Sequence, residues 1–260
     1  MWTYAISHYP LVFLVMVRVI AFFAASPLLS VRAWPVIAKV GLAGLVALWV
    51  APLQPASAVD PFANPGGYLL LALKEAVVGL LLGFLATLVF SVISMAGQMF
   101  DVQVGFNLAT LLDQGLATGA QTAIGGMFLQ VLFSLYFIAA DGLDGMTLCI
   151  LQSYRYVGVG ALSAPAHPWS VLTEALSMAM AVALEVAAPL FAALLLTDIT
   201  FALLSRAVPQ MNVFVVGLPV KLLVGLAVMA AAMPGLVYLF GRVFSWLFSE
   251  LDTTLQWLGG

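Results

Sequence analysis

The chain has 260 residues, 64% of them hydrophobic and 7% charged, with a formal net charge of −3 and a mean hydropathy of +1.16. Soluble domains hold about 45–50% apolar and about 25% charged residues, so a water-soluble monomer is excluded: the apolar faces must meet lipid or other chains. No basic run is present to grip phosphates, which excludes nucleic-acid binding, and the single cysteine, Cys149, admits neither an intrachain disulfide nor a cysteine metal cage.

Residues 1–10 hold no Lys or Arg, and Arg18 interrupts the apolar stretch that starts at Leu11, so the first segment reads as retained rather than as a signal peptide. Apolar runs long enough for a spanning helix of about 17–25 residues cover residues 11–29, 36–53, 68–95, 124–140, 171–196 and 213–240. They are continuous rather than alternating, which favours helices over a barrel. The expected fold is therefore all-α: one membrane-associated domain over residues 1–260, about six long hydrophobic helices, some broken, and no separate soluble domain.

Between the second and third runs, residues 54–67 are rich in proline, glycine and small polar groups and form a polar connector. Residues 96–121 mix Asp101, Gln103, Asn107, Asp113 and Gln114 with glycines and large apolar residues. Such a segment is tolerated at membrane depth only where protein or a water-filled passage surrounds it. Residues 141–170 read as a partly exposed excursion, with DGLDG at 141–145 as a solvated turn. Pro209 and Pro219 bracket a short apolar piece and predict a broken helix. At the end, Phe244, Leu247, Phe248, Leu251, Leu255 and Leu258 recur at helical spacing opposite Glu250, Asp252 and Gln256, predicting an amphipathic helix over 242–258. It either lies on a membrane surface, packs on another subunit or folds back on its own chain.

Arg32 and Lys39 place the first turn on the cytoplasmic side, but residues 97–121 carry no basic residue and the rest of the topology stays open. Arg18, Lys74, Glu75, Glu185, Asp198, Arg206 and Lys221 lie in or beside apolar runs, where a charge facing lipid costs at least about 2.5–3.5 kcal/mol. They are expected to pair inside the protein or to face partners or a water-filled cavity, except that Lys74 and Glu75 also fit an interfacial helix start. Glu185 and Asp198 stand out as candidate buried charges. Gly217, Lys221 and Gly225 share a helix face, so a neighbouring backbone can approach the lysine stem. The expected counter-charge is Glu185 or a residue of another chain, unless the lysine snorkels to headgroups. Gly79 and Gly83 form a GxxxG face suited to packing within the chain.

Enzyme chemistry finds no support. His8 and His167 have no ligand pattern around them, and no HExxH, GxSxG or Walker A sequence occurs. No cofactor or metal is expected.

The segments AGQMFDVQVGFNLATLLD (96–113) and SRAVPQMNVFVVGLPVK (205–221) resemble the two signature segments of the FliR family of type III secretion export-gate proteins. The injectisome homologues share the PQ-N-F core, whereas Gly217 before Leu218 and Pro219 is more similar to the flagellar branch. The resemblance implies a non-enzymatic subunit of a helical complex with FliP and FliQ, adjoining FlhB, in the bacterial inner membrane at the flagellar basal body. Unfolded flagellar proteins would leave through the pore it helps to form. It further implies that residues 106–122 plug the closed pore, with Phe106, Leu108, Leu111 and Leu112 excluding water, Gly115 and Gly119 allowing movement and Asp113 ending the segment. Family members carry proline after that aspartate, whereas Gln114 follows it here. In the second segment, Arg206, Pro209, Gln210, Asn212, Phe214, Gly217, Pro219 and Lys221 would pack against subunits. Residues 141–160 match the family only loosely. A competing reading, a small-solute transporter, also uses broken helices and buried charges but usually shows an internal repeat, which is absent here.

Overall fold

A computed structural model describes residues 9–27, 35–54, 62, 64–105, 124–162, 168–208 and 213–259. Among them are seven α-helices and no strand: α1 (Tyr9–Ala25), α2 (Val36–Val50, continued by a 3-10 turn, Ala51–Leu53), α3 (Pro65–Val104), α4 (Ile124–Ala139), α5 (Gly142–Tyr156), α6 (Pro168–Ala207) and α7 (Val213–Gly259). Helix is the natural form for such runs, because it satisfies every main-chain donor and acceptor within the segment. Local chemistry sets the ends. Pro65 opens α3, where its missing N–H costs nothing, and Asn64 Oδ1 accepts from Gly67 N at 2.9 Å.

Four helical stretches are long and apolar enough to cross a membrane: Val36–Leu53, Pro65–Val104, Thr173–Ala207 and Val216–Gly259. The pair α4 and α5, bent by 71°, makes a fifth if taken as one broken span, and α1 adds a shorter apolar helix of 17 residues. Three helices run well past the expected boundaries. α3 and α6 each have 40 residues and α7 has 47. At 1.5 Å per residue a 40-residue helix is about 60 Å long, roughly twice the hydrocarbon thickness of a bilayer. Part of each must stand outside the lipid core.

Several expectations need correction. Residues 96–104 are not part of a loop; they are the last turns of α3, because glycine and single amides do not stop a long helix that is already established in a mostly apolar run. The excursion at 141–156 is a helix as well. Only Ala140 and Asp141 turn, with Asp141 in the left-handed region at φ 55°, and Met146, Cys149, Ile150 and Tyr154 of α5 are buried. Asp144 in its first turn and Arg155 in its last suit the helix dipole. The amphipathic stretch 242–258 is the end of α7 rather than a helix of its own, and Pro219 lies inside α7 instead of bounding it. α6 ends at Ala207 and α7 starts at Val213, and Pro209, the other expected breaker, lies outside the described residues.

The residues group into two compact units. Unit 1 takes Met1–Val89, Ala140–Leu176 and Phe244–Gly260; unit 2 takes Phe90–Ala139 and Ser177–Val243. In unit 1, Leu11, Val15, Ala47, Val50, Ala51 and Tyr154 form a buried apolar cluster. Gly79 and Gly83 of α3 lie against α1, where a side chain at Gly79 would strike Arg18 O and one at Gly83 would meet Ala25 Cβ at 2.6 Å. In unit 2, the rings of Phe90, Phe133, Phe137 and Phe240 interlock, with edge-on pairs at 4.9–5.3 Å. Beside them Phe100, Val104, Leu190, Leu194 and Met229 make a second buried cluster.

Candidate functional site

Each charge in the apolar helices needs a partner or water. In unit 1, Arg18 of α1 is fully buried and meets Glu75 of α3 through two bonds, Nε to Oε2 at 2.7 Å and a terminal nitrogen to Oε1 at 3.1 Å. Its other terminal nitrogen donates to Ser153 Oγ at 3.1 Å and to Val157 O at 3.0 Å, and the guanidinium stacks on Tyr154, 4.1 Å from the ring centre. Gly160 N donates to Glu75 Oε1 at 2.7 Å. Glu75 is therefore a buried partner, not an interfacial residue, because the bidentate fork and one amide replace its water. Lys74 is exposed and donates to Gly160 O at 3.4 Å. No local pattern links residues 153–160 to this network, which they complete only in three dimensions.

Unit 2 holds the described parts of both signature segments. The first, at the end of α3, forms a tight base. Asp101 is buried, and its carboxylate accepts from Gly125 N at 2.7 Å and Gly126 N at 3.1 Å, the free amides in the first turn of α4. A carboxylate suits this place because it satisfies two orphan donors and meets the positive end of the helix dipole. Gly97, one turn earlier, brings the two main chains together: a Cβ there would stand 2.5 Å from Gly125 O. Gly105 ends α3 at φ 91°, and its N–H bonds to Asp101 O at 3.1 Å. Asp101 thus holds both the point where residues 106–123 leave and the point where they return.

Beside this base, Gln103 Nε2 donates to Asp198 Oδ2 at 3.0 Å, and Lys221 Nζ donates to Gln103 O at 3.3 Å and pairs with Asp198 Oδ1. Lys221 therefore finds its counter-charge in its own chain, and it is Asp198 rather than Glu185. Helix register decides this: Gly225, one turn on from Lys221, packs on Phe100 and Val104 and so turns the lysine towards Gln103. Glu185 pairs instead with Arg242. Neither expected buried charge is buried within the chain, since the side chains of Asp198 and Glu185 are 40% and 44% exposed. Among the described residues the buried ions are Arg18, Glu75 and Asp101.

Of the remaining candidates, Arg206 is exposed in the last turn of α6, Gly217 is buried and Pro219 exposed in α7, and Phe214 lies in α7. Phe106, Leu108, Leu111, Leu112, Asp113, Gly115, Gly119, Pro209, Gln210 and Asn212 lie outside the described residues. Among the described residues no group of three or more His, Cys, Asp or Glu is placed to hold a metal.

Known proteins match nearly the whole of this chain. The model of the family "Bacterial export proteins, family 1" matches residues 9–247. The chain belongs to that family. Flagellar biosynthetic protein FliR of Bacillus subtilis (strain 168) is 30% identical, with 98% of each chain covered. FliR of Escherichia coli (strain K12) is also 30% identical, over 95% of this chain and 93% of its own. Yop proteins translocation protein T of Yersinia pestis is 32% identical, over 80% of both. The resemblance of the two segments to FliR thus extends to the family as a whole, and this FliR-family chain is a membrane protein with several helices apolar enough to span.

Proposed function

We propose that the chain is a non-enzymatic structural subunit of the flagellar type III protein export gate, and that it helps to form and to close the pore for unfolded flagellar proteins. Its partners in this reading are FliP and FliQ in a helical complex adjoining FlhB, in the bacterial inner membrane at the flagellar basal body. The observation that carries the closing role is the base at Asp101. The described residues on either side, Gly105 and Gly125, meet at this one buried aspartate, and the apolar members of the stretch 106–122, Phe106, Leu108, Leu111 and Leu112, suit a seal that excludes water.

The test is to delete residues 111–121. Assembly is expected to survive, because Asp101 and the start of α4 are retained, while the membrane becomes leaky to small ions. Unchanged ion permeability in an assembled complex refutes the plug. FliR of Bacillus subtilis and of Escherichia coli match 98% and 95% of the chain, and Gly217 before Leu218 and Pro219 is more similar to the flagellar branch, which supports the flagellar system over an injectisome.

A further inference from the structure

We propose that the cleft between α2 and α5 in unit 1 binds the phosphate of an anionic membrane phospholipid through Arg155. The cleft has a volume of about 650 Å³, and its lining includes Trp49, Leu53 and Gln54 from the end of α2 and Leu148, Gln152 and Arg155 from α5. No acidic side chain is among its described lining residues. Arg155 is exposed and, among the described residues, makes no hydrogen bond or ion pair. The contrast with Arg18 in the same unit is sharp, since Arg18 commits all its nitrogens to protein acceptors.

The surroundings determine which anion fits. α2 is apolar enough to span and ends at Pro52 and Gln54, where the polar connector begins, so its end lies at a membrane–water boundary. Trp49, Leu53 and Leu148 are 59%, 74% and 57% exposed. Apolar side chains this exposed gain from an acyl chain and gain nothing from a free aqueous ion. A guanidinium presents its donors in a planar fork that matches phosphate oxygens, and the amides of Gln54 and Gln152 stand at the same cleft to add donors. The negative end of the α5 dipole stabilises the cation without using any of its donors. Positive head, amide rim and apolar floor together describe a phospholipid seat rather than a site for soluble phosphate.

The full chain, with whatever subunits accompany it, is placed in nanodiscs of equal phosphatidylglycerol and phosphatidylcholine, released into mild detergent and read by native mass spectrometry for retained lipid. Wild type is expected to retain phosphatidylglycerol preferentially. Arg155→Gln is expected to lose that preference by about fivefold, the factor one interfacial basic residue supplies, while Arg155→Lys keeps most of it. If Arg155→Gln fails to fold, Gln152→Leu, an exposed substitution in the same cleft, is expected to reduce the preference in the same direction. Equal retention of the two lipids by wild type, or unchanged retention in a folded Arg155→Gln protein, overturns the proposal. Inorganic phosphate that displaces the lipid from wild type at a similar concentration overturns the lipid assignment in favour of a free-anion site.

Discussion

Of the three ion pairs that join apolar helices among the described residues, two solve the same problem in opposite ways. Arg18 and Glu75 in unit 1 have side chains 0% and 2% exposed, and every side-chain nitrogen of the arginine has an acceptor. Lys221 and Asp198 in unit 2 are 22% and 40% exposed, and they share Gln103 as a third member. The first pair is sealed: its geometry fixes α1, α3 and the turn after α5 in one register. The second is open on one side, so water or a partner's polar group can replace part of it. A charge within a hydrophobic run therefore signals a buried structural lock in one unit and an adjustable contact in the other.

Breaking the sealed pair is the harshest test of this contrast. Arg18→Met leaves Glu75 buried without its cation and leaves Ser153 Oγ and Val157 O without their donor. The expected loss is about 3–5 kcal/mol, the usual consequence of stranding one buried ion. It is measured as a lower thermal unfolding midpoint, and as a poor yield of monodisperse protein in detergent. Replacing both partners, as Arg18→Met with Glu75→Leu, is expected to recover most of that loss, because no unpaired charge remains. A double variant as unstable as the single one shows that the lock acts through Ser153, Val157 and Gly160 rather than through the ion pair.

A milder effect is expected at the loop base, which is buried like the first pair but holds a single ion. Asp101→Ala exposes two amide donors in the first turn of α4 to an apolar setting. The expected cost is about 1–3 kcal/mol, that of leaving buried donors unsatisfied. The specific readout is ion permeability: if Asp101 positions residues 106–123, the variant leaks while its helices remain intact by circular dichroism. A fully ion-tight Asp101→Ala complex separates the base from the closing role.

How much of this was legible in the sequence follows from the range of the interactions. The helices were, because continuous apolar runs and prolines act locally, and Gly79 and Gly83 announced close packing correctly. Their ends were not. Tertiary packing carries α3 through Gly97 and Gln98 to Val104, and it makes a helix of residues 142–156, whose mixed composition reads as a loop. The seven charges were found but not their partners, since Arg18 and Glu75 lie 57 residues apart and Lys221 and Asp198 sit on different helices. Asp101 was visible as one polar residue among several in the first signature segment. Its role depends on Gly125 and Gly126, 24 and 25 residues on, which no local pattern links to it.

The smallest effect is expected at the open pair. Lys221→Met removes a cation whose counter-charge lies in the same chain, so association with other subunits no longer depends on it through Asp198. Both groups are partly solvated, and a pair of this kind is worth about 0–1 kcal/mol. Gln103 still donates to Asp198, which keeps that carboxylate from being stranded. Complex recovery is therefore expected to equal that of wild type, with a stability change of less than about 1 kcal/mol. Asp198→Asn is expected to be equally mild, whereas charge reversal to Asp198→Lys sets two cations against Gln103 and costs more. A Lys221→Met protein that folds but no longer recovers its partners shows that the open side of the pair is an occupied contact. The half-exposed charges of unit 2 are then part of a subunit interface.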